Sequence, residues 1–316
     1  MEKTIYLLSC VKDGGIYRCT LSSEGKLRIV DKVTLDRPMY GVIREDRLYV
    51  VLRSPFPDSG DSGLMTFDIR DRKLTNPSKL LSTKGQVACH LSVENGSVYV
   101  ANYTSGSVIK MPDILVAHQG SSVNEKRQSS AHAHYISPTP DGKYICAVDL
   151  GMDKILVYDK DLHPVSVVAA KPGNGPRHLA FSDDGNYAYC ADELSSTVTV
   201  LSYCDGKLEI LREYSTLPDG YAEENTTAAI RYREGYVYIS NRGHDSIACF
   251  RAEGEKLTLT DIVSCAGASP RDIHVLGEFL ICTNEASDNV VVFKIQGGTL
   301  QQVDQLSLPT PLCVCF

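Results

Sequence analysis

PRHLAFSDDGNYAYCADELSSTVTVLSY, residues 176–203, carries the punctuation of three short β-strands. Phe181 ends the first, and Asp184-Gly185 is a turn signal between two apolar runs. Tyr187-Ala-Tyr-Cys-Ala191 is the second strand, and Asp192 to Ser196 turns the chain into the alternating Thr197-Val-Thr-Val-Leu201. Leu208-Glu-Ile-Leu-Arg-Glu-Tyr214 supplies a fourth strand. In an antiparallel hairpin the start of the first strand and the end of the second lie at the same edge. Arg177, His178 and Glu193 are therefore expected to face one surface together.

The unit recurs along the chain. Its second strand ends in Asp or Asn, and the equivalents are Asn102, Asp149, Asp192, Asn241 and Asn284, at intervals of 47, 43, 49 and 43 residues. Each is followed by a polar turn and an alternating strand, such as Lys154-Ile-Leu-Val-Tyr or Asn289-Val-Val-Val-Phe. Two weaker copies precede them. Asp46 to Arg53 leads through a loop rich in Pro, Asp and Gly (residues 54–63) to Leu64-Met-Thr-Phe, and Thr4 to Ser9 runs to Gly15 to Thr20. The N-terminal copy lacks a first strand, and Pro311-Leu-Cys-Val-Cys-Phe316 resembles Pro176-Arg-His-Leu-Ala-Phe181. One unit is thus assembled from both termini. Seven units of about 45 residues each match the size of a four-stranded blade. The expected fold is all-β: one domain over residues 1–316, a seven-bladed β-propeller of four-stranded antiparallel blades, its ring closed by strands from both termini. Ile114 to Gln128 is the least strand-like stretch and reads as an extended loop or a fourth strand.

A net charge of −7 disfavours nucleic acid and anionic membrane as partners, while leaving room for a local basic pocket that takes a small anion. No apolar run approaches the ~18–20 residues that span a bilayer. The first ten residues are too short and too acidic for a secretory signal and read as a strand. Eleven cysteines, an odd number set mostly in strand-like runs, fit buried thiols in a reducing cytoplasm, the expected location. No CxxC pair exists, which disfavours zinc. There is no Gly-rich phosphate loop leading into a helix and no Gly-x-Ser-x-Gly elbow, which disfavours nucleotide hydrolysis and covalent serine catalysis.

Aligning the units predicts two rings of side chains at one mouth of the central channel. The inner-strand starts present His90, His134, His178, Ala229, Asp272 and Cys313, with Arg177 and Arg271 one residue earlier. The turns after the second strands present Tyr103, Leu150, Glu193, Arg242 and Glu285. Taken singly, an Arg or His at a blade edge reads as a structural hydrogen-bonding group, and Asp192 and Asn241 read as turn caps. Convergence is what points to a site. Arg177 and Arg242 can grip a carboxylate or phosphate bidentately. His132-Ala-His134 shares one strand face, but no third ligand has metal-site spacing, so no metal and no cofactor are expected. A neutral His134 suits a general base, because imidazole titrates near neutrality.

At these residues the chain resembles the seven-bladed lactonase family, which includes propeller-type 6-phosphogluconolactonases and the fungal 3-carboxy-cis,cis-muconate lactonizing enzyme. The resemblance rests on His132-Ala-His134 with Ser137-Pro-Thr-Pro-Asp-Gly-Lys-Tyr, on Gly173-Asn-Gly-Pro-Arg-His-Leu-Ala-Phe with Glu193-Leu-Ser-Ser-Thr-Val, and on Asn241-Arg-Gly-His-Asp-Ser-Ile. Ser269-Pro-Arg-Asp and Asn284-Glu-Ala-Ser-Asp-Asn-Val fit as well, whereas the pattern is thin before residue 88. The resemblance implies a channel site made by His134, Arg177, Arg242 and Glu193, with His132 as the alternative base. His132, His178, Arg271 and Glu285 are then candidates for binding the substrate. It implies hydrolysis of a sugar lactone, foremost 6-phosphogluconolactone, with a small anionic lactone or carboxylic acid as the partner. His134 would activate water, the two arginines would hold phosphate or oxyanion, and Glu193 would orient a group or move a proton. Lactone formation or opening on a muconate-like acid, or a binding propeller without turnover, are the alternatives.

Overall fold

Every alternating run becomes a strand in the computed structural model, which describes residues 2–316. The strands form seven antiparallel sheets, and there is no helix among the described residues. The blade that opened the sequence reading is built from Pro176–Phe181, Tyr187–Asp192, Thr197–Cys204 and Lys207–Ser215, ordered from the channel outwards. We number it blade 5. Blade 1 takes its innermost strand, Pro311–Cys315, from the C-terminus and pairs it with Lys3–Ser9, with Leu7 opposite Val314. In blade 2 the outer position is split: Lys73–Thr75 and Leu81–Ser82 both pair with Gly63–Arg70. That interruption is why its copy of the repeat is faint. Ile114–Ala117 is the outer strand of blade 3, and the rest of the ambiguous stretch is loop.

Packing follows from the two-faced character of the strands. Each pair of neighbouring blades shares one buried apolar cluster. Blades 4 and 5 meet at Cys146, Val148, Leu179, Cys190 and Leu201. Blades 7 and 1 meet at Ile281, Val290, Ile5, Leu7 and Val314. Burying each such side chain contributes about 1.5–3 kcal/mol. All eleven cysteines are free; eight are buried and only Cys204 is exposed.

The Asn or Asp at the end of the second strand in blades 3 to 7 does more than cap its turn. Asn102 donates from Nδ2 to the Thr83 carbonyl at 3.1 Å, and its Oδ1 accepts from the Thr83 hydroxyl at 2.8 Å. Asn241 does the same with Thr216, at 2.9 and 2.8 Å. Asn284 donates to the Cys265 carbonyl, and Asp149 meets His118 Nδ1 at 2.6 Å. Each reaches the segment arriving from the preceding blade and latches two blades together. Blade 5 is the exception. Ala170 stands where the others have Thr83, Thr216 or Cys265. Asp192 accepts only from the hydroxyls of Thr197 and Thr199, and its Oδ1 is buried without a partner.

A second regularity sets the channel. The pairing register slips by one residue at the start of every inner strand. A β-bulge of this kind re-aims side chains. Ala133 lies opposite Asp149 and Pro176 opposite Asp192, so His134 is the counterpart of Arg177, not of His178. The bulge positions are Leu312, Met39, Cys89, His134, Arg177, Ala228 and Arg271. The residues after them are Cys313, Tyr40, His90, Tyr135, His178, Ala229 and Asp272. The sequence alignment equated histidine with histidine and missed this offset, because blade 4 lacks the proline that opens the strand in blade 5.

Two outcomes test the latches. Thr83→Val keeps the shape but leaves the buried Asn102 Oδ1 unpaired, and should cost ~1–3 kcal/mol in urea unfolding. Burial pushes the Asp192 carboxyl up to about 7. A carboxyl that binds its proton more tightly when folded favours the fold fully below about pH 4, and that contribution is lost as the pH rises through 7. Asp192→Asn should therefore melt above wild type at pH 8, with the gap closing towards pH 4.

Candidate active site

Two rings meet at the mouth where the inner strands begin. One is the bulge ring. The other follows the second-strand ends: Cys10, Arg53, Tyr103, Leu150, Glu193, Arg242 and Glu285. Between them lies a cavity of about 380 Å³ lined by Met39, Arg53, Cys89, Tyr103, Arg127, His134, Glu193, Arg242 and Arg271, among others. That volume suits a ligand the size of a phosphorylated sugar.

Glu193 organises the mouth. It is 3% exposed and faces three guanidiniums. Its Oε1 accepts from Arg127 Nη2 at 2.5 Å, and its Oε2 lies 3.0 Å from Arg177 Nε and 3.1 Å from Arg242 Nη2. Arg177 is further held by the Ala228 carbonyl at 2.7 Å, and Arg242 by the Thr227 carbonyl at 2.9 Å. The Nε–H groups of Arg177 and Arg242 have no aligned acceptor in the protein. Burial opposes ionisation of Glu193, but Arg242 and Arg177 outweigh it and hold the carboxyl well below the usual range. Glu193 is thus a fixed anion that positions three cations.

The cations remain in excess. Burial, then Arg271 and Arg242, push the Arg177 guanidinium down to about 9. Five guanidiniums (Arg53, Arg127, Arg177, Arg242 and Arg271) face two carboxylates, Glu193 and Glu285. An acidic chain here concentrates positive charge in one concave place, and low-dielectric walls focus its field on an incoming anion.

His134 sits in this field. Burial, reinforced by Arg177, holds its pKa well below the ordinary value, so the imidazole is neutral. Its ring lies edge-on to Tyr103 at 5.3 Å, and its Nδ1 is 3.7 Å from Cys89 Sγ. The structure separates the two histidines of His132-Ala-His134. His134 lines the cavity; His132 stacks on Tyr103 at 4.5 Å and points Nδ1 at the Tyr103 carbonyl, 3.1 Å away, outside the cavity lining.

The other candidates divide. His178 does not line the cavity; it lies beneath, in a neck of about 20 Å³ with Arg177, Tyr40 and Asp272. Its Nε2 is 3.2 Å from Arg177 Nη1. Arg271 lines both cavity and neck, and Glu285 pairs with it at 3.5 Å without lining either. Among the described residues, no group of three or more His, Cys, Asp or Glu is placed to hold a metal ion.

Sequence reasoning missed Arg53, Cys89 and Arg127. Arg53 holds the turn position equivalent to Glu193, and a complete alignment of blade 2 would have found it. Cys89 would have emerged from the bulge register. Arg127 comes from the loop after blade 3 and obeys no repeat. Its only signal is chemical: a buried Glu193 needs more positive charge than one arginine supplies.

Comparison with known proteins fits this arrangement. A family model described as "Lactonase, 7-bladed beta-propeller" matches residues 5–316. An uncharacterized protein of Staphylococcus saprophyticus is 32% identical, covering 96% of both chains. A crystal structure from Lactobacillus plantarum superimposes with a TM-score of 0.91 at 30% identity, covering 99% of both chains. A candidate 6-phosphogluconolactonase of Bacteroides uniformis superimposes with a TM-score of 0.89 at 26% identity, covering 99% of this chain and 98% of that one.

Removing the shared anion should expose the cation excess. Glu193→Ala leaves Arg177 and the largely buried Arg242 without a carboxylate, along with the half-exposed Arg127, and should cost ~3–5 kcal/mol. Inorganic phosphate should restore part of that loss, read as a larger phosphate-dependent rise in melting temperature than wild type shows.

Proposed function

The chain belongs to the seven-bladed β-propeller lactonase family, and from that premise we propose that it hydrolyses a phosphorylated sugar lactone, 6-phosphogluconolactone, to 6-phosphogluconate. The observation that carries this reading is the cluster of four guanidiniums (Arg53, Arg127, Arg242 and Arg271) lining one sugar-sized cavity beside a neutral imidazole, with Arg177 at the neck beneath. Arg53 has no acidic partner among the described residues and stands at the outer ring, where it suits a phosphate. Arg177 and Arg242 lie deeper and suit the oxyanion. Likeness to the Bacteroides uniformis protein supports the choice of substrate.

The chemistry divides among the side chains. Neutral His134 takes a proton from water as the oxygen adds to the lactone carbonyl. Arg177 and Arg242 stabilise the negative charge that develops on the carbonyl oxygen, where preorganised donors act most strongly. The ring C–O bond then breaks, and the proton passes from His134 to the departing hydroxyl. Glu193 holds the arginines in place through all steps. His134 is a weak base in the free protein, because burial and Arg177 disfavour its charged form. A bound phosphate offsets that field and raises its proton affinity towards the working range. The eleven free thiols fit a reducing compartment such as the cytoplasm.

Three variants check the assignment. Arg177→Ala/Arg242→Ala should abolish turnover of 6-phosphogluconolactone; retained activity would overturn the reading. His134→Gln should lower kcat by ~10²–10⁴-fold, whereas His132→Ala should leave kcat within a few-fold of wild type. Faster turnover of a carboxylated muconolactone than of the sugar lactone would favour lactone chemistry on a di-acid instead.

A further inference from the structure

The channel has a second mouth, at the other end of the inner strands, and nothing in the lactonase reading uses it. There the chain encloses about 370 Å³, nearly the volume of the upper cavity. The narrow neck around His178 separates the two. We propose that this lower cavity is a second binding site, for a neutral hydroxylated ring of monosaccharide type.

Its floor is aromatic. Tyr40 and His90 lie 4.4 Å apart between ring centroids, His90 and Tyr135 also 4.4 Å. Such faces accept the apolar C–H side of a sugar ring, while hydroxyls need a few placed polar groups. Two are present and unused. Ser92 Oγ and His274 Nδ1 are both buried, both belong to residues lining the cavity, and neither has a hydrogen-bond partner in the protein. Ser92 and His274 occupy the same level of their inner strands, two residues beyond the neck ring, where side chains point at the channel. Buried polar atoms are ordinarily satisfied, so both side chains have capacity left to bind a hydroxyl placed beside them.

The electrostatics set the charge of the occupant. Arg231 is the innermost cation, and Asp272 already neutralises it through a 2.7 Å hydrogen bond. Arg44, at the rim, pairs with Glu94 at 3.6 Å. Burial holds His90 and His274 far below their ordinary pKa, at about 3, so neither carries charge near neutrality. The upper mouth has spare cations and the lower has none. An anion therefore belongs above and a neutral polyol below.

The test uses methyl α-D-glucopyranoside, which carries no charge and cannot be hydrolysed as a lactone, followed by saturation-transfer NMR and calorimetry on the full chain. Binding should be saturable and should persist when 6-phosphogluconate is added. The double variant Ser92→Val/His274→Phe should weaken it ~10-fold or more, and Ala180→Leu, which fills the cavity from another strand, should abolish it. Both variants should keep wild-type melting temperature and wild-type turnover of 6-phosphogluconolactone. Absence of glucoside binding, unchanged affinity in both variants, or full displacement by 6-phosphogluconate would overturn the proposal. The binding and melting readouts do not depend on the upper site being a lactonase, since the glucoside titration is complete without any turnover; only the turnover control rests on that reading.

Discussion

The pairing of Pro311–Cys315 with Lys3–Ser9 is the contact on which everything else depends. Seven blades share seven apolar seams, and a ring has no first or last seam. Were the terminal strands unpaired, Lys3–Ser9 would be an open edge, and the clusters around Leu7 and Leu8 would lose Val314, Cys313 and Cys315 from their walls. An open sheet edge also invites pairing with other chains. Closure makes each seam support its neighbours, and it holds the inner strands at a fixed spacing around the channel. The site is a consequence of that spacing. Glu193 comes from blade 5 and Arg242 from blade 6, and no local structure brings them to 3.1 Å.

Within the frame, the site obeys a rule opposite to that of the core. The seams are apolar, whereas the mouth gathers five guanidiniums and buries Arg177 and much of Arg242, a desolvation cost that the buried Glu193 offsets. Glu193 is that anion in the protein alone. A bound phosphate or oxyanion adds to it, so the ligand relieves repulsion already present among Arg177, Arg242 and Arg271. Binding and stability are therefore linked at this mouth through the same charges.

Much of this was legible in the sequence, and the reasons are specific. The spacing of Asn102, Asp149, Asp192, Asn241 and Asn284 revealed the blades because all five stand at the ends of second strands, and all but Asp192 perform a similar latch. Pro311-Leu-Cys-Val-Cys revealed the closure because an inner strand keeps its pattern wherever it lies in the chain. Arg177, Glu193 and Arg242 were found because all three sit at repeat positions. What stayed hidden had no period. The bulge displaced His134 from the partner assigned to it, since a one-residue slip leaves composition unchanged while turning the side chain. Arg127 stands on a connecting loop, and the split outer strand of blade 2 concealed Arg53.

The bulges give the ring a property that plain strands lack. A regular strand shows the channel every second residue, and its alternate residues are committed to the seams. The bulge inserts an extra residue that belongs to neither set. Read around the ring these residues spell Leu312, Met39, Cys89, His134, Arg177, Ala228 and Arg271, and only Leu312 and Met39 belong to an apolar cluster. The other five stand outside the apolar seams, although Arg177 still ties blade 5 to the Ala228 carbonyl of blade 6. The residues that face a ligand thus lie mostly outside the apolar seams, and a change of substrate need not repack the core.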